Sequence, residues 1–567
     1  MGRRKRNALG FVLLAVGALL LFCCCVALIA YVVLRRVPEA APPLQIGVLY
    51  SPEKEAWFAP LVKEFNESGV RVGDKRVEVV ARSIDSGEAL EEILSGTGEP
   101  VVWCPASTLW VPLLNQRWQE QSNSSEPLAI YPEPLVISPL VIAMWEDQAR
   151  AMGYPERPLG WQDIISATLD ERGWGAYGHP EWGAFKLGHT NPYFSNSGLL
   201  SVAAEGYAAA GKVRDLTAED LAQPATRAYI QKIERAIIHY GESSEYFAQQ
   251  MASRGPAYAS AAVLEEHTVI RLNQGAYGRL PQRLIAIYPR EGTFWSDHPF
   301  VTLRGEWVTP EAQAAALALR TFLLSREAQE KALQSGFRPA DPAIPLANTL
   351  IGPASGADPF QPQTVLEVPS ADTLGALLQA WQDVRKRVNC LLVVDISGSM
   401  GEEDKLRAVQ DGLKLFLSQL ADDDRVGILI FNDEISTLTP LGPLGPKRPE
   451  IAQAIDALEA NYKTVLRDVT VEALEQATQA YDPERINAVV LMTDGQDTAS
   501  WTSERDLMRR LEEAGRSERV VRVFTIAYGS DADKDLLQRI AEATGGRMVE
   551  GTPENIRKLY VILSSYF

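Results

Sequence analysis

The sequence predicts an α/β protein: two folded units of alternating strands and helices, preceded by one N-terminal apolar helix. Three observations carry this reading. From Gln45 onward, short runs rich in Val, Ile and Leu alternate with amphipathic stretches, the pattern of parallel sheets covered by helices. The chain has 567 residues, too many for a single core. Residues 8–34 carry no charged side chain, which sets that segment apart from everything after it.

Composition narrows the function classes. With 46% hydrophobic and 23% charged residues the chain is globular in type. Its 55 basic and 73 acidic residues give a net charge of −18. Nucleic acid is thereby excluded as a partner class, because phosphate-backbone binding draws on a clustered basic excess. Cys23, Cys24 and Cys25 fall in the apolar segment, leaving Cys104 and Cys390 in strand-like runs of different units. That pattern is neither a disulfide framework nor a Cys/His metal motif.

Taken in order, residues 1–7 form a basic tail and residues 8–34 a membrane-spanning helix. Such a helix is about 40 Å long against roughly 30 Å of hydrocarbon. Pro38-Glu39-Ala40 makes a poor signal-peptidase site, so an uncleaved anchor is expected. The basic residues concentrate before the span, which puts the N-terminus in the cytoplasm and the domains outside the cytoplasm. After a Pro/Ala-rich tether, strands are predicted at 46–50, 76–82 and 100–104, with helices at 54–66 and 86–95. Leu135–Trp145 and Leu284–Tyr288 read as further strands, and Leu199–Ala210 as a helix after a polar loop.

This element order resembles the bacterial extracellular solute-binding proteins over residues 44–366. The loop Thr190-Asn191-Pro192 with Ser195-Asn196-Ser197-Gly198 carries the likeness, together with the closing Ser335-Gly336-Phe337-Arg338-Pro339. The resemblance implies a two-lobed periplasmic-binding-protein-like domain with a small polar solute held in the cleft. Strands deliver their carboxyl ends to such a cleft, so the candidate ligand-binding residues are Ser51, Ser107, Thr190, Asn191, Ser195 and Ser197. Helix capping and turn formation are the competing roles for each of these residue types.

Residues 367–387 are expected to form a linker helix, with Leu374, Leu377, Leu378, Trp381 and Val384 on one side. A second α/β unit follows over 388–567. Its opening strand ends in Asp395-Ile396-Ser397-Gly398-Ser399, and a second buried run ends in Thr493-Asp494-Gly495. Thr464 lies between them, 65 residues after Ser399 and 30 before Asp494. One carboxylate and two hydroxyls at alternate positions of a tight loop are hard oxygen donors, suited to Mg²⁺ or Mn²⁺ in preference to Zn²⁺. The competing role for Asp395 and the serines is to cap the helix that follows.

Together these residues resemble the metal-ion-dependent adhesion site (MIDAS) of the von Willebrand factor type A (VWA) domain, a doubly wound Rossmann-like fold. The resemblance implies a divalent cation, Mg²⁺ first, with Mn²⁺ or Ca²⁺ as alternatives. It implies direct contacts from Ser397, Ser399 and Thr464, with Asp395 and Asp494 acting through water. It also implies an acidic side chain of a protein partner at the open coordination position. The residues before Thr464 are Asn461-Tyr462-Lys463, where the family often has glycines.

The expected function is recognition outside the cytoplasm by a membrane-anchored protein, with no catalytic residues. The alternative is the substrate-binding component of an ABC-type importer with an accessory VWA domain. Sequence motifs for a phosphate-binding loop, a zinc protease helix or a serine nucleophile elbow do not occur.

Overall fold

Leu44–Tyr50 (β1) is the first buried strand of the computed structural model, which describes residues 42–567 apart from 131, 348, 403, 518, 554, 565 and 567 and the side chains of 557, 558, 561 and 562. The basic tail and the expected membrane helix lie outside the described residues. Among the described residues no helix is long and apolar enough to cross a membrane.

Three sheets organise the chain. In the first lobe β1 is followed by helix α1 (Glu55–Ser68), strand β2 (Lys75–Ser83), helix α2 (Ser86–Ser95), strand β3 (Val102–Cys104) and helix α3 (Trp110–Ser122). β1 pairs in parallel with β2 on one side and β3 on the other. Helix α1 buries Trp57, Phe58, Leu61, Val62 and Phe65 at helical spacing, and Gly69 ends it in the left-handed conformation that glycine adopts most readily.

The chain then crosses to the second lobe. Its strands are β4 (Val136–Trp145), β5 (Leu187–Thr190), β6 (Ile237–Gly241), β7 (Ala261–Glu265) and β8 (Leu284–Ile287), ordered β8-β4-β7-β5-β6 in one sheet. Helices α4 (Asn196–Ala210), α5 (Pro224–Glu234) and α6 (Glu266–Asn273) cover it. The second crossing follows Trp295–Ser296, which pairs with β4, and enters β9 (Pro299–Thr302), which pairs with β3 of the first lobe. The two crossings touch where the Leu135 amide donates to the His298 carbonyl at 3.3 Å.

Helix α7 (Ala371–Val384) lies on the second lobe, with Trp381 edge-on to Tyr240 at 5.1 Å. The last domain contains strand β10 (Arg387–Asp395), helix α8 (Lys405–Gln419), strand β11 (Arg425–Phe431), strand β12 (Ile435–Pro443), helix α9 (Arg448–Asp456), helix α10 (Leu466–Gln479), strand β13 (Arg485–Thr493), helix α11 (Glu504–Gly515), strand β14 (Arg522–Tyr528), helix α12 (Lys534–Thr544), strand β15 (Met548–Gly551) and helix α13 (Ile556–Ser564). Its sheet order is β12-β11-β10-β13-β14-β15, with β12 antiparallel at one edge and the rest parallel. β10 and β13 are buried on both faces, which is why both read as continuous apolar runs in the sequence.

The domains are docked through aromatic and polar contacts. Tyr240 of β6 donates its amide to the Tyr566 carbonyl at 3.2 Å, and Tyr246 meets the Tyr566 ring edge-on at 5.3 Å. Arg522 lies over the Tyr258 ring at 5.8 Å, and Arg547 pairs with Glu242.

Candidate metal and ligand sites

In the last domain, β10 and β13 are parallel neighbours in register from Arg387 opposite Arg485 to Val394 opposite Met492. Their carboxyl ends therefore place Asp395 beside Thr493, and Thr493 donates its hydroxyl to Asp395 Oδ2. Asp395 Oδ1 accepts the Ser397 amide at 2.7 Å, which folds the loop back over the strand end. Burial pushes the Asp395 carboxyl up to about 6, against the lowering effect of these hydrogen bonds.

The other predicted residues converge on the same strand ends. Ser397 Oγ and Ser399 Oγ lie 3.3 Å apart, and Ser399 Oγ donates to Asp494 Oδ1 at 2.7 Å. A Cβ added at Gly495 would stand 3.6 Å from Thr464 Oγ1 and 3.9 Å from Ser399 Oγ, so both hydroxyls border one point and glycine keeps it open. Three loops are stitched together behind them. Gly398 donates its amide to the Tyr462 carbonyl at 3.0 Å, and Asn461 to the Ile396 carbonyl at 2.9 Å. Thr498 and Ala499 donate theirs to the Thr464 carbonyl at 3.0 and 3.1 Å. Tyr462 adopts a φ of +68°, a left-handed turn made without the glycines usual before this threonine. The donor set is oxygen throughout, and Asp494 Oδ2 is paired with Lys405 Nζ at 2.8 Å. Two carboxylates and three hydroxyls on one rim fit a hard divalent cation.

The solute candidates divide into two groups. Ser51 and Ser107 follow β1 and β3 at the lobe junction, where Ser51 Oγ accepts Lys54 Nζ at 2.5 Å and the buried Ser107 Oγ has no hydrogen-bond partner. Thr190, Ser195 and Ser197 instead form a knot of hydroxyls. Thr190 Oγ1 is 2.8 Å from Ser197 Oγ, which lies 3.4 Å from Ser195 Oγ and accepts from Ser244 Oγ at 2.9 Å. Asn191 Oδ1 accepts the Tyr193 amide at 3.0 Å, a turn-forming contact. His189 is buried against Glu234 (Nε2 to Oε1 3.1 Å) in the core of the second lobe, a packing role.

Sequence reasoning missed the polar cluster at the lobe junction. Asn196, on α4, receives Trp110 Nε1 at 3.2 Å from the first lobe and donates to Glu265 Oε1 at 2.8 Å and Ser296 Oγ at 2.7 Å. His267 and His298 stand beside Glu265, all three fully buried. The available signal was Glu265-x-His267 directly after an apolar strand run, in a chain with only five histidines. Lys405 was equally legible as a cation in the first turn after the Asp395 loop.

The family model described as bacterial extracellular solute-binding protein matches residues 46–338. The chain belongs to this family. As a solute-binding protein it carries a further domain, since the von Willebrand factor type A domain model matches residues 389–559. An uncharacterized protein of Mycobacterium tuberculosis is 23% identical over 530 residues, 86% of this chain and 72% of its own length, so the two-domain arrangement has a relative. Among solved structures, a von Willebrand factor type A protein from Catenulispora acidiphila is 20% identical, with a TM-score of 0.29, over 32% of this chain and 42% of that one. A periplasmic thiamin binding protein is 11% identical, with a TM-score of 0.42, over 61% of this chain and 97% of that one.

Proposed function

We propose that this solute-binding protein is a membrane-anchored recognition protein outside the cytoplasm, and that its VWA domain uses a divalent cation to engage a protein partner. The observation that carries the reading is the meeting of Asp395, Ser397, Ser399, Thr464 and Asp494 from three loops at one end of one sheet. Ser397, Ser399 and Thr464 would hold the ion directly, and Asp395 and Asp494 through water. When bound, the ion supplies a Lewis-acid contact for a carboxylate of the partner.

Two side chains beside the site support protein recognition. Trp501 is 97% exposed and Tyr462 71% exposed. Trp501 is nonetheless anchored, because its amide and that of Thr502 donate to the Asp468 carboxylate at 2.8 Å each. Exposed aromatics flanking a charged contact have the composition of interface hot spots. Recognition is favoured over import because the expected anchor and the docking of the VWA domain on the second lobe suit assembly at a membrane.

Native mass spectrometry of the chain purified without chelator tests this. The expected result is one more divalent ion on the wild type than on Asp395→Ala; a wild-type chain that takes up no more Mg²⁺ or Mn²⁺ at millimolar concentration than Asp395→Ala would remove the reading.

A further inference from the structure

We propose that the junction between the two lobes binds one divalent transition-metal ion on Glu265, His267 and His298. The proposal rests on reading the first domain as a binding domain, and it makes the ligand a metal ion where a small polar solute was expected.

Three segments bring the donors together. Glu265 closes β7, His267 stands in the first turn of α6, and His298 lies in the crossing between Trp295–Ser296 and β9. His267 Nδ1 is 3.3 Å and His298 Nε2 3.7 Å from Glu265 Oε2, and the three donor atoms all lie within 4.8 Å of one another. Ligands at about 2.0–2.1 Å on a tetrahedral ion sit about 3.4 Å apart.

Two of the three donor atoms, Glu265 Oε2 and His298 Nε2, are left without hydrogen bonds. Glu265 Oε2 and both ring nitrogens of His298 have no hydrogen-bond partner, although both residues are fully buried. Buried polar atoms are ordinarily paired, so Glu265 Oε2 and His298 Nε2, both unpaired and 3.7 Å apart, point to a ligand. Glu265 Oε1, by contrast, is fixed by Asn196 and by Ser296 Oγ at 2.7 Å, which aims Oε2 at the histidines. Phe337 stacks on the His267 ring at 4.1 Å and meets the His298 ring edge-on at 5.1 Å, holding both planes. His267 is the hydrogen-bonded member of the three, with Nδ1 to Ser138 Oγ at 3.2 Å and Nε2 to Thr268 Oγ1 at 3.4 Å.

His298 has a φ of +39°, a left-handed conformation that costs a side-chain-bearing residue energy and recurs at functional sites. The surrounding contacts impose it. The His298 amide donates to the Ala106 carbonyl at 3.0 Å, and Asp297 Oδ1 accepts the Thr108 amide at 2.7 Å.

Charged side chains of both signs surround the cluster. Glu53 and Glu245 act on Glu265, and Asp297 lies beside Lys54. Lys54 and Arg271 are the cations that act on this group, and Lys54 directs its ammonium to Ser51 Oγ, the Cys104 carbonyl and the Pro105 carbonyl. Two imidazoles and one carboxylate suit zinc, cobalt, nickel, manganese or iron better than magnesium or calcium, which take oxygen donors.

The test uses the full chain in detergent carrying Asp395→Ala, so that the VWA site is silent, and titrates Co²⁺. The expected result is one equivalent bound with visible d–d absorption. His298→Ala and Glu265→Gln should each weaken binding more than about 100-fold, and Asn196→Ala, which removes the contact orienting Glu265 together with those to Trp110 and Ser296, by about 10–100-fold. Failure of the folded Asp395→Ala chain to bind Co²⁺, or binding indifferent to Glu265→Gln and His298→Ala, overturns the proposal. If His298→Ala does not fold, stoichiometry in the Asp395→Ala chain and the Glu265→Gln titration still decide. A parallel thermal screen of anions, sugars, amino acids and peptides separates the two readings. A hit there without Co²⁺ binding keeps the binding domain and removes the metal, whereas silence in both removes both.

Discussion

Asp494 is held from two sides: Ser399 Oγ donates to its Oδ1 at 2.7 Å, and Lys405 Nζ pairs with its Oδ2 at 2.8 Å. The lysine compensates a fully buried carboxylate beside Asp395. Without an ion, it is the cation that makes this arrangement affordable.

Lys405→Met should therefore have opposite effects on the apo and metal-loaded states. Removing one partner of a buried pair costs about 3–5 kcal/mol when both are dry; the lysine side chain is 10% exposed, so the lower end, about 3 kcal/mol, is expected. Divalent affinity should rise in the same variant, because the ion no longer shares Asp494 with an ammonium. Denaturant unfolding with and without Mg²⁺ checks both signs.

The start of the VWA domain is fixed by a second buried pair. Arg385 Nη2 meets Asp424 Oδ2 at 2.7 Å, while Asp424 also accepts the amides of Val388 and Ala421 at 2.8 and 2.7 Å. Asp424→Asn keeps the size but removes the carboxylate charge from the buried pair with Arg385, at a cost of about 3–5 kcal/mol. The drop in unfolding free energy should appear in the absence of any metal.

The second lobe should carry a proton-linked stability term. Burial pulls the His189 imidazole down, but Glu234, the hydrogen bond to it and Glu205 outweigh that and raise it from 6.5 to about 9. A group raised on folding stabilises fully below its unfolded value and loses that contribution as the pH passes its folded value. The His189 contribution, about 3 kcal/mol, should thus be present below pH 6.5 and decline through pH 9. Burial likewise raises the Glu205 carboxyl to about 8, with the same sign, so its contribution fades from pH 4.5 upward. In unfolding curves from pH 6 to 9.5, the wild type should lose more stability than His189→Gln; parallel profiles would contradict this account of the cluster.

Much of this architecture was legible because buried parallel strands write continuous apolar runs. The strand expected to end at Asp395 is Arg387–Asp395, and the buried run expected to end at Thr493-Asp494-Gly495 is the strand Arg485–Thr493. The antiparallel edge strand Ile435–Pro443 was not read, because one of its faces is exposed and it carries three prolines or glycines near its end. The metal-site residues were legible because four of the five sit in two short motifs at strand ends. The lobe-junction cluster was not. Glu265, His267, His298 and Asn196 come together only through the crossing of the chain between two sheets, a long-range relation that local pattern does not encode. Of the solute candidates, the hydroxyls of Thr190, Ser195 and Ser197 have the residue types of a binding loop, but the structure ties them to one another.

The central claim is metal binding at Asp395, Ser397, Ser399, Thr464 and Asp494, and the melting temperature of the full chain in Mg²⁺ tests it most directly. At a hundred times the dissociation constant the ion should stabilise the VWA domain by about 2.7 kcal/mol. Chelator should reverse the shift, Asp395→Ala should abolish it, and Thr464→Ala should reduce it while leaving the apo domain folded. A wild-type melting curve indifferent to Mg²⁺ and Mn²⁺, or an undiminished shift in Asp395→Ala, would contradict the account.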